Sequence, residues 1–568
     1  MKKLISILLS ILIVLLPFGA YAFDGIFRKQ EVILCSCILL SVILLAYIVF
    51  LIANKKRILI SISIIDISVL AFFVYSVFHS FFVIHLQVSE ILVYKWFAIF
   101  CVYVLCRIAA YKNILMYAIV LSGFIQSIIA ALQKLYIIDS HNIFFDVTGT
   151  FNNPGILGGY VAVAFIIAVC LLKNAIKNRS HIKTIFLTVS VLFLFAAVIF
   201  SDSRAAFTAV SVGIAMFYFH KIRHVFIRHK IIFSAIFCVF LIFTGVLLFN
   251  YRQGSANSRL LIWRVSVEMI ADKPLFGRGI ASFDSNYMHC QAAYFDKNPD
   301  SKFIPVADNV AYAYNEFIHI AVETGITGLL FLLSVFYSAF SSKKQRLQKV
   351  ALVALLVFSM FSYPAEIFPL LLLFPAIIGC FNTKPFRKEI RLRHGILLIA
   401  GIALLSIIYL NIRSELYFGK AAAELVQTRE NKEQLKEYIC KYYKRLKYNP
   451  EFCRIYAIWI NENISENEIF NVLELFPTSE SYCLFGERYV QKALYGKAEQ
   501  CFKTAASMTP NRILPNYGLF KLYQKLGNEK EAILMANKIL NQHIKIDNTQ
   551  TVRILFEIEN WLNRIKTK

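Results

Sequence analysis

Over its first 411 residues the chain alternates between apolar runs of 15–25 residues and short polar breaks. A helix needs roughly 20 predominantly apolar residues to cross the core of a bilayer. The pattern predicts spans at 4–22, 31–53, 60–78, 91–106, 113–133, 154–172, 184–201, 205–220, 231–250, 316–340, 350–364, 366–382 and 395–411. One connection is much longer than the others, at 251–315, and loops of that length usually carry function. After residue 411 charges of both signs appear and the long apolar runs stop. The expected fold is all-α: a polytopic transmembrane helical bundle of about 12–13 spans over 1–411, with a smaller helical domain over 412–568.

Composition agrees with this pattern. The chain is 58% hydrophobic and only 17% charged, too little polar surface to cover a soluble protein of 568 residues. Its mean hydropathy is +0.61. The net charge of +25 invites a nucleic-acid reading, but its distribution argues otherwise. The basic residues of the apolar region gather in alternate loops: Lys55–Arg57, Arg107 with Lys112, Lys173–Lys183, Lys221–Lys230, Lys343–Lys349 and Lys384–Arg393. That alternation is the positive-inside pattern, and no basic face interleaved with aromatics stands out, so nucleic acid is not an expected partner. With Lys2 and Lys3 inside, all six loops fall on the cytoplasmic side; loop 251–315 and everything after 411 fall outside. The N-terminal run ending Ala20-Tyr21-Ala22 also reads as a signal peptide, though the spans that follow at once favour a retained helix.

The stretch GTFNNPGILGGY, Gly149–Tyr160, places turn-forming residues at the mouth of the sixth span. Pro154 suits the first turn of a helix, and Gly155, Gly158 and Gly159 permit close approach of a helix or a ligand. No phosphate loop, nucleophile elbow or metal-binding spacing is present, and no metal or cofactor is expected. The residues that could carry chemistry are arginines predicted on the outer side: Arg204 in SDSRAAF, Arg259 and Arg264 at the start of the long loop, and Arg278 further on. Arginine there runs against the charge bias, and its planar fork suits phosphate oxygens. The plainer alternatives are snorkelling to headgroups, or pairing of Arg204 with Asp202.

In the C-terminal region, Gly486, Tyr489, Ala498, Phe502, Ala505 and Pro510 fall on the spacing of a tetratricopeptide repeat, and 34 residues on stand Tyr523 and Ala532. A weaker unit is expected around Asn449–Pro477. Such a domain offers a docking surface for a protein partner. Cys440, Cys453, Cys483 and Cys501 lie in it, where an exterior location permits a disulfide; Cys483 and Cys501 fall on facing helices of one repeat, for which buried packing is at least as compatible.

Four segments in order, GTFNNPGILGGY, SDSRAAF, SRLLIWRVSVEMIADKPLFGRGIASF and AYNEFIHIAVETGITGLLFLL, resemble the bacterial O-antigen ligase and polymerase superfamily, whose members carry a Wzy-type C-terminal motif region. The resemblance covers most of 140–340. It implies inverting glycan transfer at the outer face of the cytoplasmic (inner) membrane, with the C-terminal domain in the periplasm. The donor would be an undecaprenyl-diphosphate-linked glycan and the acceptor a lipid A-core sugar, a protein hydroxyl or another glycan. Carried over, Arg204 and Arg259 match the family's diphosphate-binding arginines, with Arg264 near them, and Asn152 and Asn153 match the motif at the sixth span. The chain departs from the family at Tyr312-Ala313-Tyr314-Asn315, where members commonly show His-x-His-Asn with a histidine acting as base. Tyrosine, with a pKa near 10, is a poor substitute. The nearby candidates are His319, Glu316, His289 and Asp308, with Tyr314 and Asn315 themselves. Ligation is favoured over polymerisation because the repeats could position an acceptor. Two readings from other classes remain: a transporter of lipid-linked glycans, for which charges within spans such as Asp66 and Lys95 would be the cue, and a membrane-anchored scaffold without activity.

Overall fold

In a computed structural model the chain is described over residues 1–19, 28–54, 58–80, 90–140, 142–228, 253–342, 345–383, 387–392, 394–428, 431–459, 465–542 and 548–566. The predicted span 231–250 lies outside the described residues. The helices in chain order are α1 (Lys2–Leu15), α2 (Arg28–Ala53), α3 (Ile64–Phe78), α4 (Glu90–Ile108), α5 (Lys112–Lys134), α6 (Pro154–Lys177), α7 (His181–Phe200) and α8 (Arg204–Arg228). Then come α9 (Gln253–Asp272), α10 (Phe283–Lys297), α11 (Glu316–Ser341), α12 (Arg346–Ser359), α13 (Phe368–Leu371), α14 (Leu373–Gly379) and α15 (His394–Gln427). The remainder are α16 (Lys432–Leu446), α17 (Pro450–Trp459), α18 (Glu466–Leu475), α19 (Ser479–Gln491), α20 (Tyr495–Met508), α21 (Ile513–Lys525), α22 (Glu529–Leu540) and α23 (Thr549–Lys566). Two short strands, β1 (Ile58–Ile62) and β2 (Arg387–Leu392), pair antiparallel with Ile58 opposite Leu392. The protein is thus an all-α polytopic membrane bundle apart from this ribbon. Seven of the described helices are long and apolar enough to cross a membrane, and three shorter apolar ones accompany them.

Two compact units are formed. The first comprises Met1–Leu248, Tyr314–Ile320 and Ile326–Arg429; the second Phe249–Ala313, Ala321–Gly325 and Glu430–Lys568. In the first unit α6 is the central helix: 83% of its most apolar stretch is buried, against 28% for α7 and 22% for α15. The outward apolar side chains of α7 and α15, among them Ile182, Leu192, Ile399 and Ile402, are what a lipid-facing helix requires. Where the sequence predicts one span at 366–382 the structure has two short helices. Pro369 and Pro375 supply no amide hydrogen, and Pro375 removes the bond that would carry the helix from Leu371 onward.

Several of the basic segments meet at one end of this unit. The ribbon ties the chain beside Lys55–Arg57 to the chain within Lys384–Arg393. Arg107 grips Asp66 with two bonds, Nε to Oδ1 at 2.8 Å and Nη2 to Oδ2 at 2.9 Å. Its Nη1 donates to Phe381 O at 2.6 Å, and Lys112 Nζ donates to the same carbonyl at 3.2 Å. Tyr111 N donates to Ser6 Oγ at 3.0 Å, adding the N-terminal helix to this end.

The second unit stacks helices in sequence order, each packed on the next from α19 to α22. Phe502 of α20 is fully buried between the glycines of two neighbours: a Cβ at Gly486 would lie 2.7 Å from its ring and one at Gly518 2.4 Å. Both α19 and α21 end on the same turn. Leu494 N donates to Tyr489 O at 2.9 Å, and Asn528 N donates to Tyr523 O at 3.0 Å, with Ala493 and Gly527 left-handed between. The four cysteines of this region are free thiols; of the two expected to pack on facing helices, Cys501 is buried and Cys483 half-buried.

Candidate functional site

The polar loop before α6 is held from inside the bundle. Two glutamines of α5 point into it: Gln133 Oε1 accepts from Thr148 N at 2.9 Å and Gly149 N at 2.7 Å, and its Nε2 donates to Gly149 O at 3.0 Å. Gln126 Oε1 accepts from Thr150 N at 3.0 Å, while Thr150 Oγ1 donates to Pro17 O at 2.7 Å. Gly149 has φ +61°, which the turn requires and an L side chain resists. Asn153 then caps α6, its Oδ1 accepting from Gly155 N at 2.7 Å, ahead of Pro154 at the first helical position.

Gly158 explains why this loop and Arg204 share one end of the unit. A Cβ there would lie 2.6 Å from Ser201 Oγ and 2.8 Å from Ser203 Cβ. The missing side chain lets the turn 201–203 rest directly on the first turns of α6. That turn bends through Asp202 at φ 45° and starts α8 at Arg204, which is half-buried.

Asn153 also reaches the segment between α12 and α13, its Nδ2 lying 3.4 Å from Tyr363 OH. Tyr363 meets Tyr314 edge to face, ring centroids 5.2 Å apart. Tyr314 has φ 50°, an uncommon backbone for a bulky residue, immediately before α11. Asn315 caps that helix, accepting from Phe317 N at 3.0 Å and Ile318 N at 3.2 Å. Glu316 is buried and accepts from Ala365 N at 2.7 Å. His319, one turn along, is buried within electrostatic reach of both Glu316 and Glu366. Glu366 pairs with Lys95 of α4 at 3.3 Å.

In the first unit, then, the structure brings together Asn153, Tyr314, Asn315, Glu316 and His319 with three residues not chosen from the sequence as site residues: Tyr363, Glu366 and Lys95. Asn152 is exposed beside them, its carbonyl accepting from Asn142 Nδ2 at 2.9 Å. Asp66 and Lys95, the charges that cued a transporter, each have an opposite charge in contact, Arg107 and Glu366. A lone glutamine in an apolar span is costly and so a usable signal for Gln126 and Gln133. Nothing in the sequence announces Tyr363.

The other candidates belong to the second unit. Arg259 is half-buried on α9, and Arg264, exposed, lies over the Tyr294 ring at 5.7 Å. Arg278 is engaged on Asp272 at 2.8 Å. His289 sits edge-on to Tyr482 at 5.8 Å, and partial burial there lowers its pKa below the usual imidazole value. Asp308 is paired with Arg512 at 2.9 Å. Trp263 Nε1 donates to Ala313 O at 3.0 Å, gripping the chain just before Tyr314. The glycines of PLFGRG and ETGITG also find a use. Gly325 breaks α11 with φ 69°, and Arg278 N and Gly279 N donate to the carbonyls of Val322 at 2.9 Å and Glu323 at 2.8 Å. A Cβ on Gly325 would lie 2.2 Å from Leu275 O.

The segment carrying most of these features has a family match. Residues 155–333 match the O-antigen ligase family profile. Among curated proteins, one from Rickettsia conorii with the provisional name polysaccharide ligase is 26% identical over 233 residues, 38% of this chain and 48% of its own length. One of the same name from Rickettsia bellii is 27% identical over 232 residues, again 38% of this chain and 48% of the relative. The chain thus spans about half the length of the curated relatives it matches. Among the described residues no cluster of histidine, cysteine or carboxylate side chains could hold a metal ion.

Proposed function

We propose that the protein is a membrane glycan ligase that transfers a glycan from an undecaprenyl-diphosphate carrier to a hydroxyl acceptor, a lipid A-core sugar or a protein. The observation that carries this reading is the polar cluster of Asn153, Tyr314, Glu316, His319 and Tyr363 in a bundle whose residues 155–333 match the O-antigen ligase family. In the proposed step the acceptor oxygen attacks the anomeric carbon, and the bond from that carbon to the phosphate oxygen breaks with inversion. The acceptor proton passes to a base, for which the buried His319 beside Glu316 is the first choice. The departing lipid diphosphate is a dense anion, and Arg204 and Arg259 are assigned to bind it and stabilise its developing charge. The site lies at the outer face of the inner membrane. The stacked helices after residue 430 act as tetratricopeptide-like repeats that position an acceptor or a protein partner; their recurrent turn, 34 residues apart, supports this.

The deciding experiment is deletion of the gene followed by profiles of lipopolysaccharide and glycoprotein. Loss of polymer attached to lipid A-core, or of protein glycans, supports ligation and identifies the acceptor. Shortened chains would assign the polymerase alternative, and unchanged profiles would sink the enzymatic reading.

A further inference from the structure

We propose that the basic end of the first unit carries a binding site for the phosphate of an anionic glycerophospholipid, formed by Arg346, Lys173 and the ring of Phe217. It is separate from the cluster assigned to glycan transfer. Helices α6, α8 and α12 pack on one another and meet at Gly213, where a Cβ would lie 2.7 Å from Ile166 and 3.6 Å from Ala354. Towards their basic ends they bring two cations onto one aromatic ring. Lys173 Nζ lies 5.1 Å from the Phe217 centroid, and the Arg346 guanidinium carbon 4.7 Å from it.

A ring face attracts cations but does not neutralise them, and two on the same ring repel each other. Arg346 Nη2 is withdrawn from solvent and has no hydrogen-bond acceptor among the described residues. A buried guanidinium donor left unmatched is expensive, and guanidinium cannot escape by losing its proton. Arg346 is also the first residue of α12, whose preceding residue Gln345 makes no side-chain cap, so first-turn amides with the same electrostatic preference lie beside it. The neighbouring Lys349 is already committed to Phe340 O at 2.6 Å.

No carboxylate from these segments can answer. The sequence holds no aspartate or glutamate between Asp146 and Asp202, between Asp202 and Glu268, or between Glu323 and Glu366. Orientation in the membrane calls for cations in such loops, but not for a pair on one ring with a buried donor unmet. A guanidinium fork, an ammonium and an uncapped helix start make a phosphate site. Exposed apolar side chains on the same helices, Ile176 and Tyr218, offer acyl chains a surface, which favours a lipid over a free anion. Basic pockets between membrane helices take anionic headgroups on this chemistry.

The test uses the full-length protein in phosphatidylcholine nanodiscs with increasing phosphatidylglycerol, the retained lipid being counted by native mass spectrometry. The wild type should retain phosphatidylglycerol in preference to phosphatidylcholine. Arg346→Gln and Lys173→Gln should each weaken that retention about fivefold, the effect of one cation near an anionic headgroup. Arg346→Lys, with charge but no fork, should fall between. Lys183→Gln removes an exposed charge from the first turn of α7 at the same end and should change nothing. Equal losses for Lys183→Gln and Arg346→Gln would mean diffuse attraction and overturn the site. So would an absence of preference in the wild type, or displacement of the lipid by inorganic phosphate alone.

Discussion

Replacing Gly158 by alanine tests whether the loop before α6 serves to place Arg204. The new methyl would sit 2.6 Å from Ser201 Oγ, 2.8 Å from Ser203 Cβ and 3.1 Å from Ala206 Cβ. Ordinary non-bonded carbon contacts are about 3.5–4.0 Å, so the turn 201–203 must retreat from α6 by roughly 0.7 Å or more. Overpacking of this kind costs about 1–3 kcal/mol of stability. The effect on rate should be larger, because a misplacement of about 1 Å at a reacting centre can cost about 10²-fold. The assay is transfer from lipid-linked donor in proteoliposomes, expressed per folded molecule and paired with thermal unfolding. Gly213→Ala is the matched control: its methyl would meet Ile166 at 2.7 Å, within the bundle rather than at the turn. It should lose comparable stability and keep its rate per folded molecule. If the two variants lose rate in parallel, or if Gly158→Ala keeps full rate, the positioning argument fails.

Other outcomes follow from the same geometry. Arg204→Ala and Arg259→Ala should each abolish transfer at near-normal abundance, with lysine restoring only part; full activity in Arg204→Ala, measured on isolated membranes, removes that residue from the site. Among His319→Gln, Glu316→Gln, Tyr314→Phe and His289→Gln, a loss of about 10²–10⁴-fold with the acid limb of the pH–rate profile removed should mark His319, while His289, packed on Tyr482, should change little. Near-normal rates in all four would mean that arginine stabilisation of the leaving group carries the reaction alone. Lys95→Met should destabilise the bundle by about 1–3 kcal/mol, because Glu366 is left half-buried without its cation, and the exchange Lys95→Glu with Glu366→Lys should recover part of that. Reporter fusions that require an exported environment should be active at residues 290 and 450 and inactive at 225 and 388, and the reverse pattern would overturn the proposed orientation.

Helix positions were largely legible because apolar runs of the right length have few other uses. The break between Leu371 and Leu373 was legible in principle from Pro369 and Pro375, yet unbroken hydropathy masked it. Half of the candidate cluster was readable through the motif resemblance: Asn153 and Asn315 lie in its segments, and the structure adds that each caps the helix that follows. The other half depends on partners remote in sequence. Asn153 and Tyr363 are 210 residues apart, and Lys95 and Glu366 are 271 apart. A pattern read along the chain can flag Lys95 as misplaced charge but cannot supply the carboxylate that accounts for it.

That separation also sets a clock on biogenesis. At about 5–20 residues per second, the 271 residues between Lys95 and Glu366 take roughly 14–54 s to synthesise. Until Glu366 is made, the ammonium on α4 awaits a counter-ion not yet synthesised, and Arg107 likewise awaits the carbonyl of Phe381. The early helices of the nascent bundle therefore gain these partners only after about two thirds of the chain has been made.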